Sequence, residues 1–484
     1  MKQAVVVIHG MGEQIPMETL TGFVDAVWTT DESRVDQGKP DPDTGETPRT
    51  KVRNASWSKP DPRNRSYELR VITTESASNG RRTDFYEYYW AHLIVDTTWA
   101  QVRAWIFELM LRNPFRDVPR GVRPVWILLW LLAIGGGVAF LLTLRPRLDG
   151  SVNGSWPGAI AVALGTAVLG WLLGFLVSYF GDVARYVKAK PLNVARRQEI
   201  RENGVQLLET LMGIRPDGTA TGKRDYDRIV VVAHSLGTIV AYDILTHAFA
   251  RVNTIVDPTV DPFPQTARQA LEKLIRDAAA KPPTREESED WIAGFQKAQA
   301  DARKELNQTG NPWIVSDFIT LGSPLTHAEF LLVRDRARLT EAKSQRILPT
   351  CPPALEYDRT TEQRHFTYRS LEVRGLGKDK EPGSPRVPHH AALFAYTRWS
   401  NIYSPHSLIA WGDIISGPLA DAMGMEMDGR TISGIVDWPV MPAVAKEDTP
   451  FFTHTKYWRP YEWPPAWPNR HIGVLRGVLR LGER

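Results

Sequence analysis

The chain has 484 residues, 43% hydrophobic and 24% charged, which is enough apolar material for one large domain with insertions or for two domains. Its formal net charge is only +4 and no dense Lys/Arg block occurs, so there is no electrostatic case for nucleic acid as a partner. A single cysteine, Cys351, excludes an intrachain disulfide and a cysteine-based zinc cluster and suits a reducing compartment.

Ala4 to Ile8 is a short all-apolar run that reads as a strand buried on both faces, and it is too short for a secretory signal. It runs into His9-Gly10-Met11-Gly12-Glu13-Gln14, where glycines directly after a central strand let a backbone N–H turn toward a neighbouring site. Residues 30 to 65, rich in Asp, Pro, Gly, Arg and Thr, read as an exposed excursion. Tyr67 to Thr73 alternates like a half-buried strand, and Asp84 to Trp90 is a further aromatic strand. Trp99, Val102, Trp105, Ile106, Leu109 and Met110 then fall at helical spacing, which fits an interfacial helix or a core-facing one.

Two uncharged apolar stretches follow, Val125 to Leu144 and Ala159 to Phe180, of 20 and 22 residues. Each is long enough to cross roughly 30 Å of hydrocarbon at about 1.5 Å per residue. The loop from Arg145 to Gly158 is too short for a domain, so the pair reads as a transmembrane hairpin. Arg112, Arg116, Arg120 and Arg123 flank it upstream; Arg185, Lys188, Lys190, Arg196 and Arg197 flank it downstream; the loop holds only Arg145 and Arg147. That asymmetry predicts a two-span membrane protein with both flanks cytoplasmic. The 17 Trp residues suit a bilayer partner.

Gln198 to Met212 reads as a helix leading into the segment on which the chemistry turns. Arg228 to Leu245 contains a buried strand (Ile229 to Val232), a tight turn centred on Ser235 and an apolar helix from near Gly237. That is the context of a nucleophile elbow, whose flanking positions must be small; Ala233 and Gly237 are. The N–H of Leu236, after the nucleophile, and that of Met11, in the loop bearing Gly10 and Gly12, are the candidate oxyanion donors.

Residues 253 to 312 hold two amphipathic segments, Gln265 to Ala280 and Glu287 to Leu306, which read as a helical cap above the site or as a solvated insertion. Trp313 to Leu325 is the next strand and closes in Gly322-Ser323-Pro324; Pro324 argues against Ser323 as a rival nucleophile. Residues 340 to 390 read as loop, and Ala395 to Tyr403 as a further aromatic strand. A serine hydroxyl needs an imidazole to take its proton and a carboxylate to fix that imidazole, in the order Ser, acid, His for this strand–turn–helix context. Asp413, in a Gly-flanked turn, fits the acid, with Asp437 as competitor. His454 fits the base, since His471 lies in a Pro/Trp-rich tail and His389, His390 and His406 precede the acid.

HGMGEQ, AHSLGT, TLGSPL, the pair WSNIY and GDIISGPL, and HTKYW together resemble bacterial serine α/β-hydrolases of the lipase/esterase kind. The resemblance covers the soluble parts of the chain. It implies an α/β fold with a mostly parallel, helix-flanked sheet of the eight-stranded type lacking its first strands, and a triad of Ser235, Asp413 and His454. Ala233 in place of the first elbow Gly and the long stretch from Tyr403 to Asp413 depart from the pattern.

The expected organisation is a hydrolase domain built from 1–120, 182–252 and 313–460, with the hairpin at 121–181, the cap at 253–312 and a tail at 461–484. The expected activity is cleavage of carboxylic esters, with acyl lipids favoured by the tether; the alternative is an inactive, membrane-anchored interaction module of the same fold. No metal or organic cofactor is expected, since the chain has no H-E-x-x-H, cysteine cluster or phosphate-binding glycine loop. No protein partner is indicated.

Overall fold

The computed structural model describes, in the main, residues 2–10, 15–31, 54–61, 68–74, 81–94, 191–215, 224–257, 263–369 (apart from 285), 386–407, 411–442, 453–460 and 470–481, with isolated positions from 123 to 138. Contacts divide the chain into two units: Met1–Leu93 with Gln198–Ala328 and Thr340–Arg484, and Ile94–Arg197 with Glu329–Leu339.

The first unit is built on eight strands: β1 (Lys2–Ile8), β2 (Ser56–Pro60), β3 (Arg70–Thr74), β4 (Arg82–Tyr88), β5 (Arg228–His234), β6 (Val315–Leu321), β7 (Arg398–Tyr403) and β8 (Val436–Pro439). They lie in the order β8-β7-β6-β5-β1-β4-β3-β2. From β8 to β4 every pairing is parallel, whereas β3 and β2 run antiparallel at one edge. This is an α/β architecture with a mostly parallel sheet. The central strands are buried almost throughout, with all seven residues of β6 buried, as β-branched strands covered on both faces must be.

On one face, α1 (Glu18–Val24) and the C-terminal helix α6 (Arg470–Leu479) pack Leu20, Phe23, Leu475 and Leu479 against Val5, Val7, Val230, Val232, Ile319 and Ile402. On the other lies α3 (Gly237–Val252), in which eleven of sixteen residues are buried, so its apolar character nearly all round is what its position demands. α2 (Pro191–Met212) approaches α3 so closely that a Cβ on Gly204 would lie 2.2 Å from Ile244. α4 (Thr266–Ala280) and α5 (Ser288–Gln308) complete the helices used below.

Several expectations need correction. The sheet does not lack its edge: β2 and β3, which follow β1 in the chain, fill it. The excursion at 30 to 65 therefore contains a strand, whose five residues are all exposed. The α4–α5 pair is not a cap over Ser235. Gln299 donates to the carbonyls of Phe394 and Thr397, Arg303 to those of Ser316 and Tyr396, and Asn307 to that of Trp313. Those acceptors sit at or before the starts of β6 and β7, whereas Ser235 follows the end of β5. The loop reading of 340 to 390 misses two small hairpins, Glu356–Asp358 with Gln363–His365 and Thr367–Arg369 with Arg386–Pro388. The tail read at 461–484 carries α6, which belongs to the core.

In the second unit the described positions from 123 to 138 are helical, and Ile127, Leu131, Ile134 and Val138 are exposed along it. Most of the two expected spans, and the stripe from Trp99 to Met110, lie outside the described residues. Among the described residues no helix is long and apolar enough to cross a membrane.

Candidate active site

The site is assembled at the C-terminal ends of the parallel strands, where loops converge without crossing the sheet. Ser235 is the hinge between β5 and α3 and sits at φ 51°, in the left-handed region that costs a non-glycine residue about 1–3 kcal/mol. Hydrogen bonds on both sides hold it there. Its N–H donates to the Leu321 carbonyl at 3.0 Å, and its carbonyl accepts from Thr238 N–H at 2.9 Å and Thr238 Oγ1 at 2.7 Å. The elbow is tight because the chain leaving β1 crosses it. A Cβ on Gly237 would lie 2.3 Å from the His9 carbonyl oxygen, and one on Gly10 would lie 2.9 Å from Ser235 Cβ. Ala233 fits because it stays inside the sheet, registered between Ile8 and Thr320.

The three residues expected to act together are in one hydrogen-bonded line. Ser235 Oγ is 2.8 Å from His454 Nε2, and His454 Nδ1 is 2.9 Å from Asp413 Oδ2. All three are buried. Asp413 lies in the loop after β7, where its N–H donates to the Ser404 carbonyl and its Oδ1 accepts from Ile415 N–H at 3.0 Å. His454 sits on a short 3₁₀ turn, Thr453–Thr455, rather than at a strand end. Burial alone would raise the Asp413 carboxyl, but the adjacent His454 imidazole and the converging donors hold it well below the usual carboxylate range. The carboxylate has no proton, so His454 Nδ1 must donate to it. That leaves Nε2 as the acceptor for the Ser235 hydroxyl proton.

Three further imidazoles surround this line, and burial keeps each of them neutral. His234 is pushed down to about 3 by burial and by its neighbour His454, and its Nε2–H donates to the His454 carbonyl at 2.7 Å. The edge of Trp458 closes against its ring, with centroids 4.9 Å apart. His9 is pushed down to about 4; Nδ1 donates to the Gly10 carbonyl at 2.8 Å and Nε2 accepts from Trp90 N–H at 3.1 Å. The indole of Trp90 stacks on His9 and donates to its carbonyl, so the exit of β1 is clamped at the point where it passes Ser235. His327, also lowered to about 4 by burial, faces the Ile414 carbonyl.

Of the expected oxyanion donors, Leu236 caps the N-terminus of α3, where the helix dipole favours negative charge. Met11 and Gly12 lie outside the described residues. Asp437, the competing acid, is occupied elsewhere: it accepts from Asn401 Nδ2 and from the N–H groups of Leu419 and Ala420. Ser323 shares a hydrogen bond with Thr238 and accepts from Leu325 N–H. His471 faces the Arg459 carbonyl, and His389 that of Ala354. His390 faces the Arg346 carbonyl, and His406, two residues after Ser404, lies on the loop to Asp413.

A cavity of about 640 Å³ is lined by Gly10, His234 and Thr455, which adjoin Ser235 and His454 in the chain or in space, and by Trp458, Glu18 and Asp25. No cluster of His, Cys, Asp and Glu that could hold a metal occurs among the described residues.

Two features of the site were not read from the sequence. Tyr457 donates to Asp413 Oδ2 at 2.7 Å. Gly322, at φ 59°, leaves room for the acid–base pair, since a Cβ there would lie 2.7 Å from Tyr457, 3.2 Å from Asp413 Oδ2 and 3.3 Å from His454 Nδ1. Both stand in the quoted motifs TLGSPL and HTKYW, but nothing in the pattern distinguishes a hydroxyl aimed at a carboxylate from a core aromatic.

Compared with protein-family models, with curated proteins and with solved structures, the chain matches none.

Proposed function

We propose that this chain is a membrane-tethered serine hydrolase that cleaves carboxylic esters, with acyl lipids as the preferred class, on a fold of the α/β-hydrolase kind. The observation that carries the reading is the line from Ser235 Oγ through His454 to Asp413, at 2.8 and 2.9 Å, beginning at a serine held in a left-handed elbow.

In this reading His454 Nε2 takes the Ser235 proton as Oγ bonds to the ester carbonyl carbon. Leu236 N–H, with Met11 N–H as its expected partner, stabilises the oxyanion; each such donor is worth on the order of 3 kcal/mol. The imidazolium returns the proton to the leaving alkoxide as the C–O bond breaks, giving an alcohol and an acyl-Ser235. Water then attacks the acyl group, passing its proton to His454, and the acid leaves as the proton returns to Ser235. Asp413 remains an anion throughout.

The tether rests on the two uncharged apolar stretches, 125–144 and 159–180, and on the exposed apolar row Ile127, Leu131, Ile134 and Val138 within the first. The basic flanks of those stretches favour a cytoplasmic site.

The test is fluorophosphonate labelling of the detergent-solubilised full chain, with short- and long-chain esters assayed in parallel. Wild type is expected to label and to turn over ester, and Ser235→Ala and His454→Ala to do neither. A well-folded wild type that neither labels nor hydrolyses any ester would sink the reading.

A further inference from the structure

We infer that Tyr457 is a positioning residue of this site, its hydroxyl fixing the Asp413 carboxylate that in turn fixes His454. The inference rests on the serine-hydrolase reading of the same residues.

A phenol has one proton and two lone pairs. Three groups surround the Tyr457 oxygen: Asp413 Oδ2 at 2.7 Å, Ser416 Oγ at 3.0 Å and Ser404 N at 3.1 Å. The amide can only donate and the ionised carboxylate can only accept. The phenolic proton therefore goes to Asp413, and the Ser416 hydroxyl, which has one proton, is shared between the Tyr457 oxygen and the same carboxylate. With the Ser404 amide donating to its oxygen and the carboxylate accepting its proton, the hydroxyl has one favoured orientation.

That orientation matters because Oδ2 is the oxygen facing His454. Ile415 N–H holds Oδ1, Tyr457 and His454 share Oδ2, and the carboxylate is thereby fixed about its Cβ–Cγ bond. The ring cannot swing away. It is 1% exposed, packed with Val232, Leu321 and Ile402, and it lies against the face that Gly322 leaves open. The shared oxygen also gives His454 a weaker acceptor than an otherwise unengaged carboxylate would be, since two donors divide one lone-pair charge. The ionisable groups facing the Asp413–His454 pair are Tyr457 itself, His234 and His327, with His9 and His406 one step further out.

Tyr457→Phe keeps the ring and removes only the hydroxyl. The full-length protein in detergent is compared with wild type, rates being expressed per site titrated by a fluorophosphonate so that any unfolded fraction drops out. A fall in kcat of about 10- to 100-fold with KM held within about threefold is expected, as for a group acting through another. The acid limb of kcat/KM is expected to move by about half a pH unit or more, because Asp413 becomes a stronger partner for the imidazole. The low-field proton resonance of the hydrogen between His454 and Asp413 should shift further downfield. A kcat per titrated site within twofold of wild type, or a larger loss with both the acid limb and the resonance unchanged, would overturn the inference and leave Tyr457 a packing residue. If wild type itself proves inert, the hydrolase reading fails, and the resonance decides alone: a shift on Tyr457→Phe supports the link to Asp413 and no shift overturns it.

Discussion

The two ends of the central sheet each bury a carboxylate. At the N-terminal end Asp317, on β6, is held between Arg228 of β5 at 2.7 Å and Arg398 of β7 at 2.8 Å. At the C-terminal end Asp413 is held by His454, Tyr457 and a backbone amide. Burial would raise both carboxyls, and both are instead held well below the usual range by their partners. The difference is in what those partners can do. Guanidinium groups do not release a proton in a protein, so the Asp317 cluster is a permanent clamp across three strands. An imidazole can gain and lose one, so the Asp413 cluster can exchange a proton where the Asp317 cluster cannot. A lowered carboxyl is therefore a sign of function only when its partner is itself exchangeable.

Exchanging each acid for its amide should separate the two ends. The largest effect is expected for Asp413→Asn. It removes the charge that fixes the imidazole tautomer and should lower kcat by roughly 10³- to 10⁴-fold, measured as ester turnover per folded protein. The next is Asp317→Asn, which leaves two partly buried guanidinium groups without their buried counter-charge and should cost about 3 kcal/mol in urea unfolding. Its kcat per titrated site should stay within about twofold of wild type. A large rate loss there would break the comparison.

The same clamp sets the acid response. Asp317 is lowered in the folded state, so its contribution to stability is fully present above the unfolded value of about 3.9 and is lost as pH falls from there toward its lower native value. Urea midpoints at pH 7, 4 and 3 should show that decline in wild type and a shallower one in Asp317→Asn. The smallest effect belongs to Asp437→Asn. Burial raises this carboxyl, and its acceptors' partners are an amide side chain and two backbone N–H groups, so kcat should change by less than about twofold. A triad-sized loss at Asp437 would mean that the acid has been assigned to the wrong strand end.

What could be read from the sequence divides along the same axis. β1, β5 and β6 announce themselves as apolar, β-branched runs because both their faces are covered. β2 does not, since its five side chains are exposed and no burial pattern marks it. β8, whose Val436, Asp437, Trp438 and Pro439 are partly or fully exposed, was legible only as the setting of a candidate acid. Ser235, Asp413 and His454 could be nominated because nucleophile, acid and base are distinct residue types in a fixed order. Tyr457 could not, because a tyrosine three residues after a histidine has the same pattern whether its hydroxyl meets a carboxylate or a backbone carbonyl. The cap was misplaced for a related reason. Amphipathic periodicity tells that α4 and α5 bury one face, and it carries no information about which end of the sheet receives it.

The packing of α6 against β1 has a consequence for how the molecule comes into being. Gln3 reaches the carbonyl of Leu481, and Arg228, at the start of β5, reaches those of Leu479 and Arg480. Strand β1 is thus covered on one face by a helix made more than 460 residues after it. Until that helix arrives, Val5 and Val7 lack part of their apolar cover. The nascent chain must protect an adhesive central strand while the residues between the two are made, which makes chaperone dependence and slow, late-committing assembly the natural price of this topology.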